Sequence, residues 1–266
     1  MRGASAGATP AADGSWPPPA PGAAPRTAMI AAQAGLELRT LVRNGEQLLL
    51  TVLIPVVLLA GFSLDSLIKG TGVNFLVPGI LALAIISTAF TSQAIGTGFE
   101  RRYGVLKRLG STPLQRSGLI AAKTATVLVV ELAQAVLIML VGLALGWHPD
   151  ARADAAVWVI LLLLAGTAAF SGLALLMAGT LRAEATLAAA NLVYVVLLGI
   201  GGVIFSLNKF PPGARPVLRL LPSGALSDGL HSVLQHGGGL PARDLLVLVV
   251  WAAVTIGVTA RVFRWE

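Results

Sequence analysis

Apolar residues in this chain gather into runs of membrane-crossing length, separated by short polar connectors. A bilayer core needs roughly 20 apolar residues in one helix. Six stretches meet that need: residues 46–64, 75–98, 118–146, 156–180, 186–206 and 243–262. Pro55 lies inside the first, and proline is tolerated in membrane helices where neighbours satisfy the freed carbonyl. The second carries Ser87, Thr88, Thr91 and Ser92 on one helical face, suited to packing against another helix or to lining a pathway. The third ends on Gly142 and Gly146, a spacing that lets helices approach closely. A tight turn with Arg182 and Glu184 joins the fourth to the fifth.

Outside the runs the pattern changes. Residues 27–44 place Ile30, Ala34, Leu38, Leu41 and Val42 at helical spacing, with Glu37, Arg39, Arg43 and Asn44 off that stripe. Such a helix lies in the membrane interface or leads into the first span. Residues 207–242 are too polar and too rich in proline and glycine to span, and hold one short helical pattern, Ala225 to Leu234. Residues 1–26, rich in alanine, proline and glycine, bury too little apolar area to fold and read as a disordered tail without a signal peptide. The pattern predicts an all-α membrane protein with six transmembrane helices and an N-terminal interfacial helix, its membrane domain covering 27–264.

Composition agrees. The chain is 56% hydrophobic and 12% charged, against about 25% charged in soluble domains, and its mean hydropathy of +0.82 excludes a soluble fold. The net charge of +7 sits beside the apolar runs, where it sets topology and gives no reason to expect nucleic acid. With both termini cytoplasmic, that side holds Arg2, Arg26, Arg39, Arg43, Arg101, Arg102, Lys107, Arg108, Arg116, Lys123, Arg182, Arg261 and Arg264. The outer side holds only Lys69, Arg152, Lys209, Arg215, Arg219 and Arg243, so the positive-inside rule favours this orientation.

The absence of cysteine removes disulfides and thiolate chemistry. No G-x-x-x-x-G-K-[ST] sequence occurs, so no ATP chemistry and no cofactor are expected in this chain. His148, His231 and His236 fall in predicted outer loops with no carboxylate pattern to complete a metal site.

One connector stands out. Phe99 to Leu114 reads FERRYGVLKRLGSTPL and is dense in basic residues. Val105, Leu106 and Leu109 fall on one side of a helix, Lys107 and Arg108 elsewhere, and Pro113 disfavours helix at Thr112. The spacing predicts about three turns of amphipathic helix between spans two and three. From composition alone it is equally a topology signal or a docking element.

The residue order goes further. Glu100, Arg101, Gly104, Leu106, Leu109, Thr112 and Pro113 match a pattern E-R-E-x-G-T-L-x-x-L-x-x-T-P, which resembles the cytoplasmic coupling segment of type-2 ATP-binding cassette (ABC) exporter permeases. Arg102 stands where the family has a second glutamate, and Val105 where it has threonine. Leu221-Pro222 through Asp228 and Leu230 is similar to the family's L-P-x-x-x-x-x-D-x-L run, placed in an external re-entrant hairpin before the last span.

The resemblance implies a drug-exporter-like permease of the bacterial plasma membrane. It would pair with a second permease copy or a paralogue, and with two ABC ATP-binding subunits that carry ATP and Mg. Glu100, Arg101, Lys107 and Arg108 would then make polar contacts to the ATPase, with Val105, Leu106 and Leu109 in its groove and Pro113 ending the coupling helix. The implied cargo is hydrophobic or amphipathic: drug-like, lipid or glycan.

Polar residues inside the runs are the second candidates. An ionised Glu131 in lipid costs a few kcal/mol, so it must be protonated, paired or facing a cavity. Lys123 and Glu131 lie about 80° apart around an ideal helix, with Gln134 between them, and all three could face a pathway or dimer seam. Asn191 and Tyr194 are further candidates for that pathway or seam, or structural partners of Glu131. Two other classes remain open: a proton-driven secondary transporter using Glu131, and a membrane scaffold that transports nothing.

Overall fold

The structure, a computed structural model, describes residues 24–64, 72–110, 112–114, 116–203 and 205–262. Most of the expected tail, together with Lys69 and Arg264, lies outside the described residues, and the side chain of Arg116 is likewise not described. The described residues are helical and contain no strand.

Helix α1, Arg26–Arg43, is amphipathic and ends at Asn44, whose N–H reaches the carbonyls of Thr40 and Leu41. Helix α2, Gly45–Leu64, occupies the position of the first apolar run and contains Pro55. The second run is one continuous helical stretch, Val73–Arg102. It comprises α3 (Val73–Ile85), a π-helical segment (Ile86–Ser92) and α4 (Gln93–Arg102). A π segment widens the turn and re-aims the side chains that follow it. A short helix, α5, spans Val105–Gly110. Then come α6 (Arg116–Ala144), α7 (Ala155–Thr180) and α8 (Ala183–Ile200). The connector that follows holds α9 (Arg215–Leu218) and α10 (Pro222–Gln235), and α11 (Ala242–Val262) closes the chain.

Among the described residues five helices are long and apolar enough to cross a membrane: Val73–Arg102, Ser117–Ala144, Ala155–Thr180, Ala183–Ile200 and Ala242–Val262. The second run and α7 form the core, where the rings of Phe90 and Phe170 lie 6.4 Å apart. Helix α7 packs most extensively on α11. Gly172 permits that approach, since a Cβ there would lie 2.9 Å from Cβ of Thr255. Thr259 Oγ1 donates to the Gly172 carbonyl at 3.1 Å, a hydrogen bond that only such close backbones allow. Helices α6, α8 and α11 leave Val136, Leu140, Leu192, Val195, Leu246 and Val250 exposed, an outer surface suited to lipid.

Two expected boundaries move. The fifth run ends at Ile200, because Gly202 takes φ +75° and turns the chain out of the helix. The short helix expected at Ala225–Leu234 begins earlier, at Pro222, whose fixed φ suits a first helical position. It packs against α3, α7 and α11, with Leu226, Leu230 and Val233 fully buried.

Candidate coupling and buried polar sites

The segment between the second and third runs is shorter and more anchored than an amphipathic helix of three turns. Helix α4 stops at Arg102, and Tyr103 and Gly104 make a turn with Gly104 at φ +72°, which breaks the expected helix in two. Only Val105–Gly110 continues as helix. Thr112 then closes the segment: its Oγ1 donates to the Leu109 carbonyl at 2.6 Å and accepts from the Leu114 N–H at 3.3 Å. Pro113 follows at an exposed position.

Leu106 points inward. It is fully buried and forms a small core of its own with Leu114 and Leu119, flanked by Met29, Ile30 and Leu109. The expectation that Leu106 fills a partner's groove is therefore corrected: its place is taken inside the chain, where it pins α5 to α1 and α6. Val105, 41% exposed, and Tyr103, 70% exposed, remain on the outer face, as do Lys107 and Arg108.

Three charged residues at the end of α4 are also held within the chain. Glu100 Oε2 lies 2.7 Å from Nζ of Lys123 on α6, and the same ammonium lies 3.2 Å from Glu37 Oε1 on α1. Gln33 Nε2 donates to that Glu37 oxygen at 2.9 Å. Lys123 is almost wholly buried, its side chain 5% exposed, so its charge depends on these two carboxylates. Arg101 reaches the end of α7, where its two terminal nitrogens donate to the carbonyls of Ala178 at 2.9 Å and Leu181 at 2.6 Å. Those carbonyls sit at a helix C-terminus, where cations are favoured. Arg102 pairs with Glu184 at the start of α8. The arginine that departs from the family pattern thus has an acid on the neighbouring turn.

The segment is tied in this way to α1, α6, α7 and α8. Sequence spacing did not connect Glu37 or Glu184 with it. Their only signal was charge: each is an isolated acid in a basic neighbourhood.

The mid-helix polar groups meet different partners. Glu131, 3% exposed, meets Thr167 of α7. Thr167 has one hydroxyl proton and two acceptors in reach, Glu131 Oε2 and the Leu163 carbonyl at 2.8 Å. Gln134 Oε1 accepts from Thr88 in the π segment at 3.0 Å. Asn191 is exposed on α8 and donates to its own helix, at the Leu187 carbonyl, while Tyr194 is half-buried. The expected contact of Glu131 with Asn191 or Tyr194 is replaced by one with Thr167, because α6 packs on α7.

The three histidines gather at the opposite end from α5. The His148 N–H donates to Asn74 Oδ1 at 3.0 Å, and His236 Nδ1 lies 3.1 Å from the His231 carbonyl. His231 is buried between two carbonyls, its Nδ1 2.7 Å from Ser227 O and its Nε2 3.1 Å from Phe75 O. Burial is the larger influence and holds this imidazole below its ordinary pKa.

A search of curated proteins found no match. The sequence model of the ABC-2 family transporter proteins matches residues 68–261, more than half of the chain, and covers the basic segment, the buried glutamate and the α10 connector together. Permeases of this family typically work with an ATP-binding subunit. With this match and its membrane-length helices, the chain belongs to the ABC-2 transporter family, as a multi-pass membrane permease component.

Proposed function

We propose that this chain is the membrane subunit of an ATP-driven exporter, which moves a hydrophobic or amphipathic substrate outward using a separate ATP-binding subunit. On this reading α2 is a sixth span, the membrane domain runs over 27–264, and both termini face the cytoplasm beside α5. Two permease copies, or a copy and a paralogue, pair with two ATP-binding subunits that hold ATP and Mg.

The observation that carries the reading is the anchoring of the 99–114 segment. Glu100, Arg101 and Leu106 bind it to α6, α7 and the small core under α1, while Val105, Lys107 and Arg108 face outward. A push on the outer face is therefore delivered to several helices at once. This divides the labour among the site residues: Glu100, Arg101, Leu106 and Leu109 transmit force, and Val105, Lys107, Arg108 and Pro113 receive it. The test is co-expression of the tagged chain with candidate ATP-binding subunits, then co-purification and a screen for substrate-stimulated ATP hydrolysis in lipid. Recovery of the chain without any such subunit, with transport intact, would remove the reading.

A second reading has one observation in its favour, the carboxyl of Glu131 buried against Thr167. It makes the chain a proton-driven transporter. Transport that stops when the proton gradient is abolished and survives ATP depletion would select it.

A further inference from the structure

Helix α1 has two unlike faces. The inner one packs on α6, where Thr126 Oγ1 lies 3.2 Å from the Ala34 carbonyl. Glu37, the only acid of the helix, is turned the same way, toward Lys123. These contacts hold α1 against the first three turns of a membrane-length helix. The first apolar run begins directly after it, with α2 at Gly45. The C-terminal half of α1 therefore stands at the membrane surface.

The outer face carries Arg39 and Arg43, one turn apart and both exposed. Neither has a hydrogen-bond or ion-pair partner among the described residues. That separates them from Arg101, Arg102 and Lys123, whose charges are met inside the chain. Leu36, 59% exposed, and Val42, 58% exposed, flank the two arginines. With Glu37 turned inward, no acid of α1 offsets the two charges on this side.

Unpaired guanidinium groups set among exposed aliphatic side chains suit the head-group layer of a bilayer. The aliphatic groups sink toward the acyl chains, and the long arginine stems carry their charge back to the phosphates. We propose that this face binds an anionic phospholipid, its phosphate held between Arg39 and Arg43 and its chains covering Leu36 and Val42. Guanidinium forks match phosphate oxygens two at a time, and Cβ atoms about 5–6 Å apart let both forks reach one phosphate. A zwitterionic lipid brings an ammonium that the two arginines repel and that no acid on this face receives. The bound lipid holds the helix that presents Glu37 to Lys123, so membrane charge bears on the buried cluster without touching it. The inference does not rest on the exporter reading, and its test uses the chain alone.

The full chain is placed in phosphatidylcholine nanodiscs with a trace of photoreactive phosphatidylglycerol or photoreactive phosphatidylcholine, and the labelled peptides are mapped. Phosphatidylglycerol should label residues 32–43 saturably, roughly thirtyfold above phosphatidylcholine, about fivefold for each arginine near a charged lipid. Arg39→Gln with Arg43→Gln should bring the two lipids level. Arg182→Gln with Arg261→Gln removes the same charge from exposed positions elsewhere and should leave the preference intact. Arg39→Lys with Arg43→Lys keeps the charge and should keep most of the labelling, which separates lost charge from a disturbed helix.

Equal labelling of this helix by the two lipids in the natural chain overturns the inference and leaves the face to a protein partner. An equal loss from both glutamine pairs also overturns it, because the preference then follows net charge alone. Loss in the lysine pair as complete as in the glutamine pair does the same. So does inorganic phosphate that displaces the lipid, since the occupant is then a free anion.

Discussion

Lys123 Nζ lies 2.7 Å from Glu100 Oε2, so the last turn of the second membrane run and the start of the third are joined by a buried ion pair. Glu37 joins the same ammonium from α1. Breaking a buried pair from one side leaves uncompensated charge, which costs about 3–5 kcal/mol. Lys123→Met, which strands two carboxylates, should lower the melting temperature of the protein in lipid. The triple variant that adds Glu37→Gln and Glu100→Gln should recover much of the loss. Equal melting of all three proteins would show that the cluster is solvated.

Arg101 acts through geometry. Its planar fork serves two carbonyls at the end of α7, and lysine has no such fork. Arg101→Lys should cost about 1 kcal/mol in stability. Its larger effect should be on ATP hydrolysis stimulated by substrate, with the ATP-binding subunit still bound. Measured side by side, binding and stimulated hydrolysis should separate in this variant.

Thr167 offers the complementary test of Glu131. Thr167→Val removes the only hydrogen-bond partner found for that carboxyl among the described residues and should cost about 1–3 kcal/mol. Thr167→Ser should restore the stability. Glu131→Gln keeps a polar contact to the hydroxyl and should insert normally. Reduced transport in that variant at normal expression would give the carboxyl a functional role; loss of the protein from the membrane would make it structural.

His231 makes stability depend on pH. Its folded pKa is held below the usual 6.5 by burial, so the neutral ring is the form the fold prefers. The unfolded chain takes up a proton first as pH falls. The contribution is complete above about pH 6.5 and is lost as pH drops toward the folded pKa. Thermal melting between pH 7.5 and 5 should show this decline, and His231→Gln should flatten it.

Several of these features were legible in the sequence because they are local. Apolar run length placed the helices, Pro113 marked a stop, and residue order singled out 99–114. What spacing could not show depends on distant partners. Glu100 meets Lys123 and Glu37 only after three helices pack, and Thr167 reaches Glu131 only because α7 lies against α6. Leu106 looked like an outward anchor because its periodicity is that of any amphipathic helix; the burial of Leu114 and Leu119 beside it decides the direction. The break at Gly104 could have been read from the glycine, but nothing local announces the π segment at Ile86–Ser92.

In the proposed function the outward face of α5 receives the ATP-binding subunit. The most direct measurement is retention of that subunit by the tagged chain in lipid, comparing the natural protein with a variant carrying Val105→Asp, Lys107→Glu and Arg108→Glu. All three positions are exposed, and the melting temperature of the variant, measured alongside, shows that it is folded. The natural chain should retain the subunit and the variant should lose it. Undiminished retention by a correctly folded variant would contradict it.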